Sequence, residues 1–261
     1  MLRWNAVLLL LIFNVAGLRA GEPLFVPHGA ASMGMAFAVT ATPGHWNCFH
    51  NQALLTSAPS TEFSFALENR FMMPALSSKA VSAVFALKPA PLGLVATHYG
   101  NADYYRIFTG LSSAVRLSED ISLGMQVDYI SEHGIGEYRD VSHVTFEAGV
   151  TCLISPALTV GVHLFNPLAP LNALPSAIDA GLSWKQSEGL SLTLNGSKVS
   201  NEPLSVQCGI SWNVMQRLTL RTGYMSSPSA FAFGLGFRTG RLQADAGFLI
   251  NGVTGVTSSV S

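Results

Sequence analysis

Charge is what this sequence has least of. Asp, Glu, Lys and Arg make up 11% of its 261 residues, where an ordinary soluble domain carries about 25%. The net charge is −1 and no basic run exists, so no electrostatic field draws in nucleic acid. Long apolar runs are missing too. Beyond the first 20 residues no stretch reaches the ~18 unbroken apolar residues of a membrane helix. Cysteine is sparse: Cys48, Cys152 and Cys208 are an odd number without short spacing, which argues against a disulfide framework and a metal site. No Gly-rich phosphate loop precedes a helix, and no serine stands in a Gly-x-Ser-x-Gly elbow. No cofactor or metal is expected, and the chain is read as a non-enzyme.

What remains is apolarity, at 49% of residues, laid out with a period of two. Leu190, Leu192 and Leu194 alternate with Ser191, Thr193 and Asn195; Phe231, Phe233, Leu235 and Phe237 alternate with Ala230, Ala232, Gly234 and Gly236. Only a strand turns such alternation into two distinct faces. One face is large and oily; the other is small, polar or glycine. A soluble sandwich would expose a charged face, so the pattern predicts oily side chains facing lipid and a crowded polar lumen. The expected fold is an all-β transmembrane antiparallel barrel of about 14 strands. The strand-like runs are 62–73, 80–88, 91–100, 104–117, 120–131, 141–155, 158–166, 176–186, 189–200, 203–213, 217–226, 229–239, 241–250 and 252–261. The turns near 118, 156, 188, 215 and 240 share one rim by parity, the rim that bacterial barrels place at the periplasm. The loops of the opposite rim are also short.

Parity also assigns the lumen. Glu68, Arg70, Arg106, Arg116, Asp128, His143, Glu147, Asp179, Arg221 and Asp245 all face inward, with both signs present. Buried charge needs a partner, so cross-strand ion pairs and hydrogen bonds are expected among them. The network is read first as bracing and second as a polar track for a small solute. Cys152 and Cys208 fall on the lipid face as small hydrophobes. Tyr99, Tyr104, Tyr105, Tyr129, Trp184, Trp212, Tyr224 and Phe237 recur near strand ends, as an interfacial aromatic girdle would.

The N-terminus reads as an export signal. Arg3 precedes an apolar core over 6–13 and small residues up to Ala20, giving a secretory signal peptide over 1–20. Export and a barrel pattern together place the chain in the outer membrane of a Gram-negative cell, with outer-membrane lipid as its surroundings. Residues 21–60 do not alternate. They suit a short helix packed inside a barrel spanning 61–261.

Two stretches of this segment carry a family resemblance. Gly29-Ala30-Ala31-Ser32-Met33-Gly34-Met35-Ala36-Phe37-Ala38-Val39, followed by Phe49-His50-Asn51-Gln52-Ala53-Leu54, resembles the N-terminal signature of FadL-like outer-membrane barrels, most closely the PorV/PorQ branch from Bacteroidota. Residues 115–129 and 161–167 resemble that group's hairpins. The resemblance implies a fourteen-stranded barrel whose N-terminal segment folds into the lumen as a hatch, with Gly29, Gly34, Met35, Asn51 and Gln52 as its marked positions. Gln52 replaces the family's usual proline, Leu55 stands near a usual glycine, the outer loops are short, and residues 257–261 lack the usual terminal aromatic. The resemblance implies, first, an accessory of type IX secretion or surface-protein assembly, with proteins of that machinery as partners. The alternative is a FadL-like channel taking up small hydrophobic compounds. A soluble β-sandwich adhesin ranks third, because the charged surface it requires is missing.

Overall fold

The computed structural model describes residues 28–135, 140–169 and 174–261. The expected signal peptide lies outside the described residues, as do positions 21–27 of the expected lumenal segment. Fourteen strands follow in chain order: β1 (Glu62–Asn69), β2 (Ser77–Phe85), β3 (Leu92–Gly100), β4 (Tyr104–Arg116), β5 (Ile121–Gly134), β6 (Val141–Ser155), β7 (Leu158–Phe165), β8 (Ala177–Lys185), β9 (Leu190–Val199), β10 (Ser205–Met215), β11 (Leu218–Ser226), β12 (Ser229–Thr239), β13 (Leu242–Asn251) and β14 (Gly255–Val260). Each pairs antiparallel with its neighbours, and β14 closes on β1. All backbone partners within the wall come from adjacent strands, the only way a sheet can cross lipid without an unsatisfied edge.

The period-two pattern fixes which face is which. On β5, Met125 is 55% exposed on the outside while its neighbour Gln126 is 1% exposed on the inside. Val127 continues the oily outer face on the same strand, and Phe63, Leu94, Leu111, Phe233 and Phe248 continue it on others. Cys208 is exposed on this face and Cys152 half-buried, as parity places them.

The ends of the strands depart from the sequence reading in places. β1 stops at Asn69 rather than continuing to residue 73, because Phe71 and Met72 take left-handed backbone angles (φ 55° and 56°) that no strand can hold. The chain then passes through two short 3₁₀ turns before β2, which begins at Ser77 rather than residue 80. β14 begins at Gly255, whose φ of 90° marks the end of the preceding turn. Tyr99 is not part of an outer girdle. It is buried on the lumenal side, where the Arg70 and Arg106 guanidiniums lie 5.4 and 6.0 Å from its ring centre. The outward stack is instead His98, Tyr105 and His133, with ring centres 5.5 and 4.7 Å apart.

The turns after odd-numbered strands form one rim, called upper below. Those after even-numbered strands form the lower rim, where β1 begins; β14 ends part-way down the wall, with Val260 opposite Leu67 and Ala246. Midway along β12, Phe233 faces lipid between Thr222 and Phe248. Phe233→Arg is expected to weaken the folded barrel by about 2–4 kcal/mol, against about 0–1 kcal/mol for Leu242→Arg at the lower rim, in urea titrations of vesicle-inserted protein.

Candidate functional site: a plugged lumen beneath an apolar cavity

Residues 28–60 fill the lumen. They contain α1 (Ala30–Met33), α2 (Asn47–His50) and a 3₁₀ turn (Gln52–Ser57), rather than the one short helix expected. Each piece is too short to be stable alone, and local side chains hold it. The Ser32 hydroxyl donates to the carbonyls of His28 (2.7 Å) and Gly29 (2.8 Å). The Asn51 carboxamide oxygen accepts from the Ala53 N–H (3.1 Å), capping the 3₁₀ turn.

The plug seats where the wall has no side chains. A methyl group on Gly124 would lie 2.3 Å from the Gln52 carbonyl carbon; on Gly149, 2.0 Å from Asn51 Oδ1; on Gly247, 2.3 Å from the Ala30 oxygen. Gly161 faces the Thr40 oxygen in the same way, Gly209 and Gly223 face Met35, and Gly234 lies against Gly34. Several of these wall glycines are direct cross-strand partners: Gly124 with Gly149, Gly209 with Gly223, Gly234 with Gly247. Each removed pair of side chains opens a flat strip that plug backbone occupies. Gly29 is needed for a different reason. Its φ is 102°, and a methyl there would meet the Trp46 ring at 2.3 Å.

Polar contacts lock the seat. The Asn51 amide donates to Thr40 O of the plug (2.9 Å) and to the strand carbonyls of Val150 and Val162 (3.3 Å each). The Gln52 amide donates to Cys48 O (3.0 Å) and to a Glu147 carboxyl oxygen. Glu147 belongs to a wall cluster that is buried except where Asp179 meets the cavity. His163 sits between Glu147 (2.9 Å) and Asp179 (3.3 Å), and the Gln126 amide bridges Asp128 (2.9 Å) and Glu147 (3.4 Å). At the lower end Thr56 bonds Ser122 (2.9 Å), and His45 bonds Glu62 (2.7 Å) and Gln243 (3.2 Å).

Above the plug lies a cavity of about 670 Å³. Met33, Phe37 and Phe49 of the plug form its floor, and Phe71, Met225 and Leu249 part of its sides. Its lining reaches the upper-rim turns at Leu76, Pro203, Pro228 and Thr254. The size and apolar lining are those of a small-molecule site.

The structure brings most of the expected lumenal residues together, but not into one network. Glu68 of β1 pairs with Arg70 of the turn that follows it (2.9 Å), and Arg106 with Glu132 (2.8 Å) and Arg221 with Asp245 (2.7 Å) across strands. Asp128, Glu147 and Asp179 form the separate acid-rich cluster around His163. Arg116 makes no ion pair with that cluster: it is exposed at the lower rim, reaching Thr56 O at 3.4 Å. His143 is half-buried and outside the cluster, because it stands four residues, about 13 Å, along β6 from Glu147. Gln126 and His163, both lumenal by parity, prove to hold the cluster together. The plug's contact partners on the wall, the paired glycines, were signalled only by the glycine content of the small face.

Burial decides the chemistry of the plug histidines. His28 is pushed down to about 3 by burial first, then by the nearby Arg70 and His50 charges. His50 is pushed down to about 4, again mainly by burial, and its Nε2–H donates to His28 O (3.0 Å). Both are neutral in the seated plug. His45 is raised by its hydrogen bond to Glu62. Burial lifts the Cys48 thiol to about 11, so it stays protonated near neutral pH.

No protein-family model and no curated protein matches the sequence. Solved structures do match. The CymD monoaromatic hydrocarbon channel is 13% identical with a TM-score of 0.67, covering 92% of this chain and 96% of that one. A Pseudomonas aeruginosa FadL homologue is 11% identical with a TM-score of 0.66, covering 92% and 97%. The P. putida toluene transporter TodX is 11% identical with a TM-score of 0.65, covering 90% and 96%. The fold is that of the FadL-type outer-membrane channels. At these identities the likeness concerns the fold.

Two outcomes follow from this geometry. Gly149→Ala leaves the strand able to form but collides with Asn51, so amide exchange over residues 28–57 should speed by at least tenfold while the barrel keeps its heat-modifiable migration. Acid should act in the same direction. A released plug recovers ordinary histidine pKa values near 6.5, so below that pH it takes up protons that seated His28 and His50 refuse, and seating weakens as pH falls from about 6.5 toward 4. His45 has the opposite sign, its contribution being complete below pH 6.5 and lost at higher pH. Plug protection, corrected for intrinsic exchange, should therefore peak near pH 6.5 and fall on the acid side.

Proposed function

We propose that this chain is an outer-membrane channel for uptake of small hydrophobic compounds, with residues 28–60 as its plug. The observation that carries this reading is the apolar cavity, reaching the upper rim and floored by the plug. The upper rim then faces the outside of the cell, as the short turns of the lower rim suggest for the periplasm. Met33, Phe49, Asn51, Gln52 and Leu55 are all essentially buried, so a solute that enters the cavity meets a closed floor, and passage requires the plug to shift. CymD and TodX carry the names of a monoaromatic hydrocarbon channel and a toluene transporter, which supports the same class of solute here. The marked positions of the hatch, Gly29, Gly34, Met35, Asn51 and Gln52, act in this reading as its seat. The secretion-accessory role draws no comparable support, since the short upper loops leave little surface for a protein partner.

The test is uptake of an alkylbenzene into proteoliposomes. Ala230 lines the cavity and is 2% exposed, so Ala230→Trp should fill it and slow uptake at least fivefold while the barrel still folds. Unchanged uptake by a folded Ala230→Trp protein would refute the cavity as the entry site.

A further inference from the structure

The cavity is not uniformly oily. On the wall formed by β8, β9 and β10, Asp179, Asn195, Ser197, Ser205 and Gln207 point into the lumen in two adjoining rows. The Asn195 amide donates to Gln207 Oε1 (2.8 Å), and Asn195 Oδ1 is turned onto the wall, where a methyl group on Gly181 would lie 2.3 Å from it. The Ser205 hydroxyl is buried without a hydrogen-bond partner among the described residues and can donate as well as accept. Asp179 presents carboxyl oxygens, one of them held by His163. His50, neutral and donating from Nε2 to a carbonyl, keeps Nδ1 as an acceptor. The serine hydroxyls and the Gln207 amide can donate, whereas the Asp179 oxygens and His50 Nδ1 accept, and it is these two that favour a donor on the ligand.

The cations point the same way. Arg70 is the one cationic side chain lining the cavity among the described residues, and it is committed: its Nε lies 2.9 Å from Glu68 and its guanidinium 5.4 Å from the Tyr99 ring centre. Glu68, Asp179 and Glu202 line the same space. A ligand carboxylate would meet other carboxyl groups and no available cation.

From this arrangement we infer that the cavity selects hydrophobic compounds bearing a hydrogen-bond-donating head, an O–H or N–H group, and rejects those bearing a carboxylate. The apolar body lies against Phe37, Phe49 and Met225, and the head donates toward Asp179. This deepens the uptake reading above and rests on it.

Four probes with one body separate the possibilities: hexylbenzene, 4-hexylphenol, 4-hexylbenzylamine and 4-hexylbenzoate. Each is titrated calorimetrically into the full chain in lipid nanodiscs, with partition into empty discs subtracted. The phenol, the benzylamine, or both should bind about fivefold more tightly than hexylbenzene, the worth of one net hydrogen bond, and the benzoate should bind most weakly. A preference for the phenol alone identifies a neutral donor as what is read; a preference for the benzylamine alone identifies a cation. Asp179→Asn should weaken the benzylamine about fivefold relative to hexylbenzene, and Asp179→Leu, which removes the acceptor altogether, should weaken the phenol by a similar factor. Hexylbenzene binding as tightly as both donor heads, or the benzoate binding most tightly, overturns the inference while leaving the channel reading intact. Absence of binding by all four overturns both. Should either variant fail to fold, the series on the unaltered protein still decides.

Discussion

The arrangement depends on close approach between plug backbone and wall backbone. Eight lumenal glycines, Gly93, Gly124, Gly149, Gly161, Gly209, Gly223, Gly234 and Gly247, each hold a plug atom within 3.0 Å of where a methyl group would stand. Glycine is a poor strand residue, since it has no side chain to pack and loses the most entropy on ordering. Its repeated use on one face of the wall makes sense only if something else supplies the packing. The plug supplies it, and in turn has no fold of its own without the wall.

Close packing alone does not specify a register, and the polar contacts do that. Asn51 uses both ends of its carboxamide, capping its own turn while reaching two carbonyls of β6 and β7. Gln52 carries the plug onto Glu147, whose other contacts run through His163 to Asp179 at the cavity. Floor and side wall of the cavity are thereby one bonded unit. A buried network of this kind is costly when broken and weakly rewarding when made, which suits a seat that must be well defined and still release.

Much of this was legible from residue order. Strict alternation gave the class and the strand count, because a one-residue slip would have turned every oily side chain inward. It also placed Asp128, Glu147, Asp179 and Asp245 inside. Two things were not legible. Where β1 ends depends on left-handed angles at Phe71 and Met72, residues with no special liking for them. Which lumenal groups meet depends on strand stagger, so His163 rather than His143 joins the cluster, and Arg116 is left at the rim. The plug's inner shape was hidden for the same reason: its short helices are set by contacts with distant strands, not by their own periodicity.

In the proposed channel the plug closes the lumen and leaves its seat for a solute to pass. Cys48 Sγ of the plug lies 3.4 Å from Ser112 Oγ on β4, so Ser112→Cys places two thiols where a bond can tie plug to wall. Uptake of an alkylbenzene should fall to the level of empty liposomes once that bond is formed by oxidant, and return on reduction. Uptake that proceeds at the reduced rate through a fully cross-linked barrel would contradict the account.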